Sequence, residues 1–123
     1  MSDAKAGAAV LGVDNVLFEV GDLDAAVAFY VDGLGLPLVF RPDGPGIALL
    51  RLGPETPGLL LRRGDTPGRG RVWLEVRDAR ALDLPGGGAA FEVATGWTVE
   101  VADPWGNVVG FTDYTTMPAR GRP

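Results

Sequence analysis

The sequence predicts an α+β chain of two βαβββ modules in tandem, the second with a shortened helix. Three observations predict it. A strand, an acidic turn and an apolar helix open the chain; short apolar runs separated by turn residues follow; and the opening pattern returns 56 residues later. A length of 123 residues suits one domain, or two small modules sharing a core.

In "NVLFEV", residues 15–20, side chains alternate between faces. Val16, Phe18 and Val20 share one, and Asn15, Leu17 and Glu19 share the other. Asp22 stands where a helix N-cap accepts from free amides of the first turn. Leu23, Ala26, Val27 and Tyr30 follow at helical spacing as a buried stripe. Gly33, Gly35 and Pro37 end the helix. "PLVFR", "GIALLRL" and "GLLLRR" are then three strands, separated by Pro-Asp-Gly-Pro-Gly and Gly-Pro-Glu-Thr-Pro turn chemistry. Arg63 to Gly70, "RGDTPGRG", reads as a flexible linker.

Laying "NVLFEVGDLDA" over "RVWLEVRDARA", residues 71–81, gives five identities, so the pattern restarts as an internal repeat. The second copy then departs. Pro85 and three glycines stand where its helix should continue, proline costing roughly 3 kcal/mol and glycine about 1 kcal/mol in a helix. A turn or two is expected there, followed by strands in "AAFEVA", "WTVEVA" and "NVVGFTDY". The modules are placed at residues 8–66 and 67–118. The tail "TTMPARGRP" lacks an apolar period and is expected to be mobile.

Composition narrows the chemistry. The chain has no cysteine and no histidine, which removes disulfides, thiolates and the commonest metal ligand and general base. The net charge of −5 argues against a nucleic-acid partner and suits solubility or a cationic ligand. The apolar run Ala6 to Val13 is too short to span a bilayer and lacks a basic leader segment, so a cytoplasmic protein is expected.

The first strand, "DAAVAFY" with the following "LGL", the second strand ending in "EV.D", and "DPWGN" before the last strand together resemble the vicinal-oxygen-chelate superfamily. That group includes glyoxalase I, extradiol dioxygenases and bleomycin resistance proteins. The resemblance covers about Val13 to Tyr114 and implies two modules whose sheets curl around one mixed-sheet cleft, often in a homodimer. Metal-dependent members draw ligands from the start of each module's first strand and late in its fourth. Those positions here are Asn15, Arg71, Gly110 and, by aligning "GPETPGLLL" with "DPWGNVVGF", Leu60. Asparagine is a weak donor, arginine repels a cation, and glycine and leucine offer no ligand side chain. No metal and no other cofactor is expected.

By alternation, Asn15, Leu17 and Glu19 line the cleft from the first module. Arg71, Trp73 and Glu75 line it from the second, joined by Val108, Gly110 and Thr112 of the last strand. Gly110 leaves room where the family keeps a carboxylate, and Trp73 offers a flat face for an aromatic guest. Glu19 and Glu75 stand at related places in the repeat, as an anionic pair for a cation, as a proton-transfer base, or as ordinary ion-paired strand residues. Trp105 is placed over the cleft or against a second subunit, and Asn107 and Gly106 in turn geometry.

The expectation is a metal-independent, non-catalytic binding protein of the bleomycin resistance type. It would sequester an aromatic or cationic small molecule, such as an antibiotic, in the cleft, with no nucleic-acid or membrane partner. The alternatives are a metal-free isomerase or lyase with Glu19 or Glu75 as catalytic base, a metal-dependent glyoxalase or dioxygenase with atypical ligands, and a structural domain whose cleft is filled by its own side chains.

Overall fold

Alternation in "NVLFEV" makes the first strand, β1 (Asn15–Val20), and sends Phe18 and Val20 fully into the core. The computed structural model describes residues 8–11, 13–55 and 57–123. The amino-terminal run weighed above as an apolar segment therefore lies partly outside the described residues. Asp22 caps helix α1 (Leu23–Val27) by accepting from the Ala25 amide at 2.9 Å. The helix continues with wider, π-type spacing over Ala28–Gly33, marked by the Leu34 amide donating to the Phe29 carbonyl. Gly35, at φ 77°, ends it in the left-handed conformation that glycine takes without a Cβ clash.

Strands β2 (Leu38–Phe40), β3 (Ile47–Arg51) and β4 (Gly58–Arg63) complete a sheet of order β1-β4-β3-β2. The β1–β4 pair is parallel, and α1 together with β2 and β3 forms its crossover. The second module repeats this order. Strands β5 (Arg71–Glu75), β6 (Phe91–Val93), β7 (Gly96–Ala102) and β8 (Val108–Thr112) form a sheet of order β5-β8-β7-β6, with β5 and β8 parallel. The chain is thus two βαβββ modules in tandem. The second helix shrinks to one 3-10 turn (Ala79–Ala81), capped by Asp78, because the proline and glycines that follow cannot extend it.

The core runs through both modules. Phe18, Val20, Tyr30, Leu50, Leu59 and Leu61 of the first pack in one cluster with Val101, Val109 and Phe111 of the second. Polar contacts stitch the same seam. The fully buried Asn107 donates from Nδ2 to the Glu19 carbonyl at 2.9 Å and accepts at Oδ1 from the Gly70 amide at 2.9 Å. The Tyr30 hydroxyl donates to Asp103 at 2.8 Å, and Asp103 also accepts from the Asn107 amide and side chain. Burial first, then the Asp103 carboxylate, push the Tyr30 hydroxyl far above its ordinary value, so it stays a donor.

Two sequence expectations are corrected. The linker is tied down: the Gly64 and Gly68 amides donate to the Val20 and Glu19 carbonyls, and a Cβ on Gly70 would enter the Phe18 ring. The tail is also anchored. Arg77 donates to the Arg122 carbonyl at 2.8 Å and to Pro123, after a 3-10 turn over Pro118–Arg120. Among the described residues, no helix is long and apolar enough to cross a membrane.

Candidate functional site

Register places each expected residue. Asn15, Leu17 and Glu19 lie opposite Gly58, Leu60 and Arg62 in the β1–β4 pair. Arg71, Trp73 and Glu75 lie opposite Val108, Gly110 and Thr112 in the β5–β8 pair. Leu60 and Gly110 therefore hold equivalent places in the two modules, as the alignment of their strands had them. Asn15, Leu17, Arg71 and Trp73 are exposed, while Phe18, Val109 and Phe111, their opposite-face neighbours, are buried. The second module's six residues form one surface. Among the described residues no direct hydrogen bond joins them to Asn15, Leu17 or Glu19.

The structure fills the room expected at Gly110. A Cβ there would fall inside the Trp73 indole, so the glycine exists to let the ring lie against the backbone. The indole Nε1 donates to Glu100 Oε2 at 3.2 Å. Arg71 pairs with the same oxygen at 3.4 Å and sits 5.7 Å from the ring centroid. Trp73 is thus fixed at its polar edge and still 51% exposed, a rigid aromatic platform of the kind that stacks ligands. Glu100 was missed in the sequence because the faces of "WTVEVA" were not assigned. Its register partner is Gly110, and alternation from there marks it.

Glu19 and Glu75 form no anionic pair. Glu19 accepts from the Thr66 amide at 2.7 Å, the Thr66 hydroxyl at 3.0 Å and Arg62 at 3.2 Å. Glu75 accepts from the Arg122 amide at 2.8 Å and its guanidinium at 2.5 Å. Each carboxylate holds the segment leaving its own module. The Thr66 amide foremost, with its hydroxyl and Arg62, holds Glu19 below the ordinary carboxylate value. The Arg122 amide and then its guanidinium do the same for Glu75. A base near neutral pH needs its affinity for protons raised, and both are shifted the other way.

Thr112 shares a 2.8 Å hydroxyl contact with Thr98. Trp105 lies against Gly21 at the seam between modules, partly buried. Trp97 lies under Arg80, 4.4 Å from the ring centroid. An open cavity of about 330 Å3 lies on the first module, lined by Asp14, Val39, Leu49, Arg51 and Glu55 among others. Trp73 does not line it.

The family's metal positions do not fit an ion. Asn15 donates its side-chain amide to Asp14, Arg71 is ion-paired with Glu100, Leu60 is apolar, and the Gly110 position is covered by the indole.

With two tandem βαβββ modules and this site in place, the chain belongs to the Glyoxalase/Bleomycin resistance protein/Dioxygenase superfamily, whose family model matches residues 12–111. The search of curated proteins returns no match. Among solved structures, the chain is similar to TnmS3, an antibiotic binding protein from Streptomyces sp. CB03234. That match has a TM-score of 0.74 at 21% identity and covers 88% of this chain and 99% of that one. It is also similar to the bleomycin-binding protein of Streptomyces verticillus, complexed with copper(II)-bleomycin, at TM-score 0.66, 25% identity and 85% and 97% coverage. Lactoylglutathione lyase from Agrobacterium tumefaciens aligns at TM-score 0.65, 24% identity and 88% and 97% coverage. Proteins that bind antibiotics and an enzyme thus share this fold.

Proposed function

We propose that the chain is a metal-independent small-molecule binding protein, cytoplasmic and homodimeric, that sequesters an aromatic or cationic compound such as an antibiotic. The observation that carries this reading is Trp73, laid on Gly110 where the family's metal enzymes keep a carboxylate and pinned by Glu100 and Arg71 with its outer face open. The binding proteins among the structural neighbours support it. Lowered proton affinity at Glu19 and Glu75 weighs against the metal-free enzyme. In a single chain the Trp73 face is open sheet, and Leu17, Phe40 and Phe91 are also exposed. A second copy laid over these faces encloses a guest and covers apolar surface together.

The test is tryptophan fluorescence titration with bleomycin and with planar aromatic cations, with and without Mg²⁺, Mn²⁺ or Zn²⁺, on protein shown to sediment as a dimer. Micromolar capture needs about −8 kcal/mol. The expected result is saturable quenching, independent of metal, lost in Trp73→Ala and kept in Trp97→Ala. Quenching that requires a metal, or that survives Trp73→Ala, overturns the reading.

A further inference from the structure

The two seams between the modules are closed in different ways. On one, the turn between β7 and β8 carries Trp105 and Asn107 into the corner after β1, against Gly21 and the Glu19 carbonyl. The repeat puts the turn between β3 and β4, with Glu55, opposite the end of β5, with Glu75. There the tail stands between them. The Arg122 guanidinium donates to Glu75 at 2.5 Å and to Glu55 at 3.0 Å, so one side chain bridges both modules. Its partners differ in burial: the Glu75 side chain is 15% exposed and that of Glu55 61%. Glu55 also lines the 330 Å3 cavity. The bridge thus reaches the rim of the cavity through Glu55, and its Glu55 arm is the exposed, salt-screened one.

We propose that Arg122 is a strap that occupies, with the chain's own guanidinium, a cation subsite formed by Glu55 and Glu75, and that a guanidinium or ammonium group of a guest displaces it. The proposal rests on the small-molecule reading above and gives the guest its charge. Three features make the tail a competitor. The backbone amide of Arg122 also donates to Glu75, so the guanidinium is delivered in register. Arg77 holds the Arg122 carbonyl from behind. The Arg122 side chain is 67% exposed, so its guanidinium is open to exchange with solvent. A tethered occupant of this kind lowers the apparent affinity of an outside cation by the fraction of time it fills the site.

The experiment uses ethylguanidinium as probe and needs no aromatic guest. Amide NMR shifts of Glu55 and Glu75 are followed as it is added to the wild type, to Arg122→Ala and to Arg122→Ala/Glu75→Gln. The expected result is saturable shifts in Arg122→Ala, about three- to tenfold weaker binding in the wild type, and loss in the double variant. Equal affinity in wild type and Arg122→Ala, or no saturable shift in Arg122→Ala, overturns the strap. A second measurement is free of probe: rising sodium chloride should move the Glu55 and Arg122 amides of the wild type together, and independent movement also overturns it. Saturable ethylguanidinium binding with no tryptophan quenching by any aromatic compound leaves the strap standing and removes the aromatic reading.

Discussion

Gly110 shows how one absent Cβ changes what a site can be. The resemblance puts a carboxylate of the superfamily's metal enzymes at this strand position; here the indole of Trp73 takes the space and Glu100 holds its edge. Gly110→Ala should force the ring off the backbone, at a cost of about 1–3 kcal/mol for overpacking. Urea denaturation and the Trp73 emission band check this together: lower stability with a red-shifted band is expected, and an unchanged band contradicts the stacking. Which residues of β1, β5 and β8 share a sheet face was readable, because strand alternation needs only a period of two. Their partners were not. Nothing in "VEV" says that Glu100 meets an indole two strands away, and nothing in "RGRP" says that Arg122 returns to Glu75.

At the scale of elements, the shortened second helix leaves a sheet face to be held by other means. Buried Asp113 supplies one. It accepts from the Ala79 amide at 2.7 Å, the Trp97 amide at 2.9 Å and the Thr115 hydroxyl at 2.8 Å, tying the 3-10 turn, β7 and the tail to the end of β8. Burial alone pushes Asp113 up, and these donors outweigh it, bringing the carboxyl down to about 2. The unfolded chain therefore binds this proton more readily than the folded one. Stability from Asp113 is present above about pH 4 and is lost as the pH falls toward 2. Urea midpoints measured across that window should fall, and Asp113→Asn should flatten the slope while costing about 1–3 kcal/mol at pH 7. The short helix itself was legible from Pro85 and its glycines. The aspartate that compensates for it was not, because "FTDY" carries no sign of the donors that converge on it.

For the molecule as a whole, the question is what holds the two modules together. The shared core contributes, and Asn107 closes it by meeting Glu19, Gly70 and Asp103 from a fully buried position. Asn107→Ala leaves buried polar groups of both modules unpaired, for an expected loss of about 2–5 kcal/mol. If the latch couples the modules, the variant's urea transition also broadens; a single transition at the wild-type midpoint would refute that role. The tandem architecture was visible from the repeat, yet Asn107 was read as a turn residue, since a sequence shows the turn and conceals what the turn docks against.

The paired anchoring of Glu19 and Glu75 has a meaning beyond packing. Each glutamate grips the backbone a short way past its own module's last strand, Thr66 in one case and Arg122 in the other. The linker and the tail are thus gripped alike, each by the glutamate near the end of its own module's first strand. Each module fixes the direction in which its chain leaves, using a residue of its own first strand.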